Sequence, residues 1–429
     1  MQTTQLSELL ASGAYKPIFE TLYGLDDARI QAQTARYAAA AKSFDALFGR
    51  QREIMLFSVP GRTEVGGNHT DHQRGRVLAA AVNLDVIAVA SANEHNVIRI
   101  KSEGYDMDEV DLACLAPNPS ERGGSASLIR GIAARFYALG YRVGGFEAYT
   151  TSDVLSGSGL SSSAAFEVLV GTILNHLYNE GKIPPVVIAQ IGQYAENEFF
   201  GKPCGLMDQT ASAVGGFVSI DFADPVCPVI HQVTFDLASS GYALCIVNTG
   251  GSHADLTADY AAVPAEMKAV AARFGKQQLR EVPEDAFYAQ IGALRDTVND
   301  RAILRAIHFY NDNTRVTLQA KALEDGDVEQ FLRLVTASGR SSFEYLQNVY
   351  SPKHPEQQGI SLALSLSERV LGAHGAWRVH GGGFAGTVQA FVPYNLLATY
   401  KQQMERVFGV DACHVLSVRP VGGVRIMPR

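Results

Sequence analysis

The stretch Asp153 to Val170, DVLSGSGLSSSAAFEVLV, sets a Gly/Ser turn directly against an apolar segment of helical periodicity. The glycines leave the backbone free to adopt positive φ. The serines can cap a first helical turn, and the helix N-terminus behind them presents unpaired N–H groups to an anion. The guest such a cradle suits is a phosphate chain, which points to a nucleotide-using enzyme. A surface loop in front of an ordinary helix fits the stretch equally well when it is taken alone.

Around this stretch, 429 residues are enough for two domains with substantial cores. Apolar residues make up 47% and charged residues 19%, with helix and strand signals interleaved, as in a soluble globular protein. The 36 basic and 44 acidic side chains give a formal charge of −8, and no Lys/Arg block or basic stripe is present. No nucleic-acid partner is therefore expected. No apolar run reaches membrane-spanning length, and the start MQTTQLSELLASGAYKP lacks a basic region followed by an apolar signal core. The expectation is no membrane association and a cytoplasmic location. Cys114, Cys204, Cys227, Cys245 and Cys413 form no CxxC pair, which suits a reducing compartment.

The periodicity predicts a helix from Ala28 to Phe48 ending at Gly49, then a strand over Glu53 to Val59. Gly61 to Arg76 follows as a polar, glycine-rich interruption. Strands are predicted at Val77 to Ala90, Val97 to Ile100 and Phe146 to Thr151, and a helix at Ser127 to Leu139. Asp106 to Glu121 is uninformative. Helices follow at about Ser163 to Tyr178 and Pro185 to Phe200, and strands at Phe217 to Phe222 and Tyr242 to Val247. Helical patterns dominate Ala261 to Asn348, and a helix is expected at Gln358 to Leu371. The segment AWRVHGGGFAGTVQAFVP reads as a strand, a glycine turn, and a second strand or helix start; His414 to Ile426 is strand-like.

Common nucleotide motifs are missing. There is no GxxxxGK[ST], no GxGxxG, no protein-kinase set beyond a weak Asp221-Phe222-Ala223, and no hydrolase nucleophile elbow. The segments GRTEVGGNHTDHQ, GSGLSSSAAFE and GGGFAG, in this order and with CGLMDQ, instead resemble galactokinase and its small-molecule kinase relatives, from about Asp27 to the C-terminus. The resemblance implies an α+β fold with an N-terminal domain of the ribosomal-protein-S5-like type and a C-terminal ferredoxin-like domain. It implies a site in the cleft between them, ATP and Mg²⁺ as cofactors, and a small-molecule sugar as partner. The boundaries expected are 1–240 and 241–409, with 410–429 rejoining the N-terminal domain, in a monomer or weak homo-oligomer.

On the same resemblance, Gly157, Ser158, Gly159, Leu160, Ser161, Ser162 and Ser163 hold the ATP phosphates. Mg²⁺ falls to Ser162 and Glu196, with Ser161 and Ser163 as alternative hydroxyls; Glu198 should point elsewhere on a helix. Asp208 accepts the proton of the attacking sugar hydroxyl, and Arg62 lies beside it, lowering its pKa and offsetting charge on the reacting oxygens. The alternative for Asp208 is a helix cap. Asn68, His69, Asp71, Gly205 and Tyr260 would contact the sugar, whose hydroxyls call for directed donors and acceptors. A zinc site at His69, Asp71 and His72 is the competing reading, but no fourth ligand is evident. Gly381 to Gly383 and Gly386 would let the second domain approach the site, with Ala385 where the family usually has glycine.

The main departure is GNHTD in place of the family's GEHTD. Glu64 and His72 also replace residues that are usually asparagine and tyrosine. Asn68 can still bond the sugar's 6-hydroxyl, so galactose is the first substrate expected. The second reading is a different hexose or a C6-modified sugar such as galacturonate, since loss of a carboxylate there removes repulsion of a sugar carboxylate, with Arg74 or Arg76 as its partner. A non-catalytic sugar sensor is the third reading.

Overall fold

The computed structural model describes residues 1–50, 52–155, 159–202, 204–251 and 256–428. Three helices come first, Thr3–Ala11, Lys16–Tyr23 and Asp27–Phe48. Asp26 caps the third by accepting from the N–H groups of Ala28 and Arg29, and Gly49, at φ 89°, closes it. The strands are β1 (Met55–Gly66), β2 (Arg76–Ala92), β3 (Val97–Ser102), β4 (Met107–Asp111), β5 (Phe146–Ser152), β6 (Phe217–Asp221) and β7 (Val229–Val233). They continue as β8 (Tyr242–Asn248), β9 (Ala376–His380), β10 (Thr387–Pro393), β11 (Cys413–Leu416) and β12 (Val424–Ile426).

An eight-stranded sheet runs β12-β1-β2-β5-β3-β4, with β6 on β2 and β7 on β6. The long β2 serves two neighbours in turn: Arg76 to Ala80 pair with β6, and Val86 to Ala92 pair with β5. Alternate strand residues supply two cores, as a period of two requires. Phe57, Val59, Ala88 and Ala90 pack beneath the helices Ser125–Ala138, Ser162–Tyr178 and Pro185–Ala195. Leu56, Ile87, Val89 and Tyr149 pack against the three N-terminal helices. The second sheet, β11-β8-β10-β9, is antiparallel throughout and is covered by Gly359–Leu371 and Tyr394–Phe408. Helices Asp300–Glu324 and Val328–Ser341 join the halves, since Val316, Leu323 and Phe331 share a core with Leu78, Phe217 and Phe391. The architecture is the S5-like plus ferredoxin-like arrangement expected. No helix among the described residues is long and apolar enough to cross a membrane.

Three expectations need correction. Strand β1 does not stop at Val59 but continues to Gly66, and residues Leu56 to Gly66 are all buried. Register shifts at Pro60/Arg62 and Glu64/Gly66 let it absorb the polar motif without leaving β2. Strands β4 and β7 lie where no strand was predicted; both are largely exposed, with only Val110 and Val233 buried, so little apolar pattern marks them. Residues 410–429 do not rejoin the N-terminal domain as one piece. β11 joins the second sheet through Val415 opposite Cys245, while β12 pairs with β1 through Leu56 opposite Ile426.

Candidate active site

Arg62 reaches the site from β1, and Asp208 stands in the first turn of the helix Met207–Val214. They meet in a two-pronged pair: Nε donates to Oδ1 and Nη2 to Oδ2, each at 2.7 Å. The remaining Arg62 Nη1 donates to the Gly159 carbonyl, and the Arg62 backbone N–H donates to the Leu160 carbonyl at 3.0 Å. Ser161, held at φ 55° just before the helix Ser162–Tyr178, donates its hydroxyl to Asp208 Oδ2. Burial pushes the Asp208 carboxyl up, but Arg62 and then Ser161 outweigh it and hold it below the usual aspartate range. The result is an ionised acceptor beside a helix N-terminus, which is an anion-binding element.

Of the expected phosphate residues, Gly157 and Ser158 lie outside the described residues. Gly159, at φ 74°, sits where a Cβ would come 3.1 Å from the His380 ring, so the turn rests against the second sheet. Leu160 has its side chain in the core, leaving only its backbone to the site. Ser161 is committed to Asp208, whereas Ser162 and Ser163 open the helix, with Ser163 exposed.

Glu196 begins a wide π turn, Glu196–Phe200, at the end of the helix Pro185–Ala195; Glu198 is exposed. Gln209 Nε2 donates to Glu196 Oε2 at 3.0 Å and to Glu167 Oε2 at 2.8 Å, so one amide bridges two carboxyl groups. Burial and the neighbouring Glu196 push Glu167 well above the usual carboxylate range. Glu196 Oε1 faces the Lys202 ammonium at 3.1 Å. A buried carboxylate bonded to the residue that follows Asp208, and already facing a cation, is a fitting ligand for Mg²⁺, which favours hard oxygen donors. Glu167, Gln209 and Lys202 were not singled out from the sequence. Glu167 and Gln209 sit within GSGLSSSAAFE and CGLMDQ, but nothing in those segments tells which face of the helix each one takes.

On the sugar side, Asp71 Oδ2 lies against Gly205, where a Cβ would come to 2.9 Å. The HTD and CGLMDQ segments therefore meet. His69 Nε2 donates to the Gly382 carbonyl at 2.9 Å, and the Tyr260 hydroxyl to the Gly383 carbonyl at 2.8 Å. Burial, with His72 beside it, pushes His69 down to about 4, so its imidazole is neutral. Gly383, at φ 81°, lies where a Cβ would come 2.0 Å from the Asn348 carbonyl, so only glycine fits this turn.

Asn68 must be corrected. It is fully buried, and its amide donates to Glu64 Oε1 and to the Gly381 carbonyl, each at 2.8 Å. Its oxygen accepts from Asn348 at 2.8 Å and Ser342 at 3.3 Å. No polar atom of that side chain is left for a sugar hydroxyl. Arg74 and Arg76 are corrected as well: they pair with Glu281 at 2.9 Å and Asp221 at 2.7 Å, so neither is at hand for a sugar carboxylate.

The carboxylate beneath Asn68 is Glu64, which faces the fully buried Arg378 at 3.0 Å. Burial pushes Glu64 from 4.5 up to about 7, against the pull of Arg378. The folded protein thus holds this proton more tightly than the unfolded chain. The resulting stability is full below the unfolded value and is lost as pH rises through about 7. His69, pushed down by burial, acts in the opposite sense below its ordinary value. Comparing wild type with Glu64→Gln isolates the first effect. Their difference in unfolding free energy should shift by on the order of 2 kcal/mol between about pH 4.5 and 7, against the wild type as pH rises. Denaturant titrations across that range test it, and a constant difference would remove Glu64 as a titrating group.

Fold and phosphate-side turn together define a small-molecule kinase of the GHMP type, and residues 127–216 match the GHMP kinases N terminal domain family. Residues 42–92, which include β1 and the HTD loop, match the galactokinase galactose-binding signature. The chain is 30% identical to a galactokinase of Streptomyces coelicolor over 387 residues, covering 89% of this chain and 96% of that one. It is 31% identical to one of Actinobacillus pleuropneumoniae over 358 residues, covering 82% and 89%. The crystal structure of Lactococcus lactis galactokinase complexed with galactose superposes with a TM-score of 0.76 at 24% identity, covering 91% of this chain and 100% of that one. The Methanococcus jannaschii mevalonate kinase structure follows at a TM-score of 0.60 and 15% identity, covering 86% and 99%. The chain belongs to the galactokinase family, and it is a sugar kinase.

Proposed function

We propose that this chain transfers the γ-phosphoryl group of ATP to the anomeric hydroxyl of D-galactose, giving α-D-galactose 1-phosphate and ADP. The observation that carries the reading is the Arg62–Asp208–Ser161 cluster, placed against the turn that opens the phosphate-side helix. The sugar's C1 hydroxyl takes the place of Ser161 as donor to Asp208 and passes its proton to that carboxylate as its oxygen attacks the γ-phosphorus. The bond from phosphorus to the β,γ-bridging oxygen breaks, and ADP leaves. Arg62 offsets the negative charge that builds on the reacting oxygens. Because Asp208 is a weak base, proton transfer comes late, and positioning of the two substrates supplies most of the acceleration. Glu196 and Ser162 would hold Mg²⁺, which when bound neutralises phosphate charge.

His69 and Tyr260 present directed donors whose present partners, the Gly382 and Gly383 carbonyls, are exchangeable for sugar oxygens. Asp71 supplies an acceptor beside Gly205. A C6-carboxylate sugar is disfavoured because Arg74 and Arg76 are paired elsewhere. An ADP-release assay over galactose, glucose, arabinose, N-acetylgalactosamine and galacturonate should give highest kcat/KM for galactose. Faster turnover of galacturonate would transfer the reading to a uronic acid, and binding without turnover on every sugar would favour a sensor.

A further inference from the structure

Lys202 is a charged side chain at the site that the mechanism does not use. Its ammonium lies 3.1 Å from Glu196 Oε1, while Gln209 fixes the other oxygen. The two partners are unequal: the Glu196 side chain is 5% exposed, and that of Lys202 is 63% exposed. A fixed carboxylate in the wall is thus met by a long stem reaching in from solvent. The backbone is folded to bring this about. Gly201 turns at φ 86°, and the N–H groups of Gly201 and Lys202 both donate to the Glu196 carbonyl, at 3.0 and 3.1 Å. The Lys202 charge also acts on Asp208 and Glu167. The Glu196 and Asp208 carboxylates are thus faced by Lys202 and Arg62 respectively.

We propose that Lys202 is a built-in counter-ion of the metal site: its ammonium rests on Glu196 where a divalent cation binds, and it must leave for the cation to enter. This rests on the kinase reading with Glu196 as a metal ligand. An unpaired, nearly buried carboxylate is unfavourable, so the lysine stabilises the metal-free protein. The same charge opposes a divalent ion a few ångströms away, so the lysine raises the metal concentration needed to fill the site. Lys202 is therefore a positioning residue that sets metal affinity rather than one that touches the reacting atoms.

The test is Mn²⁺ binding followed by electron paramagnetic resonance, with a non-hydrolysable ATP analogue held saturating, together with melting in EDTA. Lys202→Met should bind Mn²⁺ about tenfold more tightly than wild type. It should also melt lower than wild type in EDTA and regain the difference when Mn²⁺ is added. Lys202→Arg keeps the charge and should follow wild type in both measurements. Unchanged or weaker Mn²⁺ binding by Lys202→Met, or an unchanged melting temperature in EDTA, overturns the counter-ion role. Glu196→Gln separates the two layers: if it still binds Mn²⁺ like wild type, the metal assignment itself falls. Loss of Mn²⁺ in Glu196→Gln without the gain in Lys202→Met defeats only the inference about Lys202.

Discussion

Asp208→Asn is expected to lower kcat by about 10³-fold while leaving nucleotide affinity nearly unchanged. The substitution preserves shape, so the Ser161 hydroxyl and one Arg62 donor keep an oxygen to bond. What disappears is the charge that accepts the sugar's proton. The phosphate turn should survive, because Arg62 also holds the Gly159 and Leu160 carbonyls independently of Asp208. Steady-state ADP release measures the first effect, and titration with a fluorescent nucleotide measures the second. Near-normal turnover would remove Asp208 from the chemistry, and loss of both together would make it a structural residue. The pH profile offers a further check. The Asp208 carboxyl is held below its ordinary value, so its ionised form persists until pH falls through that depressed value. Any acid limb due to Asp208 should therefore lie below the ordinary aspartate range, and it should vanish in the asparagine variant.

The meeting of Arg62 and Asp208 could be anticipated because two short motifs carry it and the resemblance supplies their juxtaposition. The orientation of Asn68 could not. Its place in GNHTD suggests a substrate contact, yet a strand continuing to Gly66 and a tight turn at Gly67 send its amide inward, where Glu64, Asn348 and Ser342 use every polar atom. Those partners lie up to 280 positions away, and no local pattern connects them. Glu64 carries a related lesson. A carboxylate in an otherwise buried strand signals a buried cation, but Arg378 could not be picked out from the chain's other arginines before the fold was known. Strong periodicity did identify Asp27–Phe48 and Ser162–Tyr178. Weakly patterned edge strands such as β4 and β7 escaped, because an exposed strand has few apolar positions to reveal it.

The N-terminal helices also have a purpose that the sequence did not disclose, and Asp85→Asn is expected to expose it by destabilising the protein by about 3–5 kcal/mol. Asp85 is fully buried in β2. Arg36 Nη1, from the third helix, donates to Oδ1 at 2.7 Å, and Tyr23 donates its hydroxyl to Oδ2 at 2.7 Å. Ser58 on β1 donates to Oδ2, which Arg419 Nη1 approaches at 3.3 Å. Arg36 keeps Asp153 at 2.8 Å as a second anion, so Arg419, itself fully buried, is the cation the substitution strands. Burial pushes the Asp85 carboxyl up, but the two arginines overcome it and hold it below its usual range. Its contribution is therefore present at neutral pH and lost only as pH falls through that depressed value. Arg419 also donates to the Gly422 carbonyl at 2.8 Å, and that glycine sits where a Cβ would come 2.1 Å from the Ala213 carbonyl. The chain there passes directly behind the helix that carries Asp208. Urea titration of Asp85→Asn should show the loss of stability, and kcat measured well below the unfolding midpoint should fall as well if this contact holds Asp208 in place. A stable variant with a displaced Asp208 would leave only the second role, whereas full stability and full activity would mean that Asp85 supports neither.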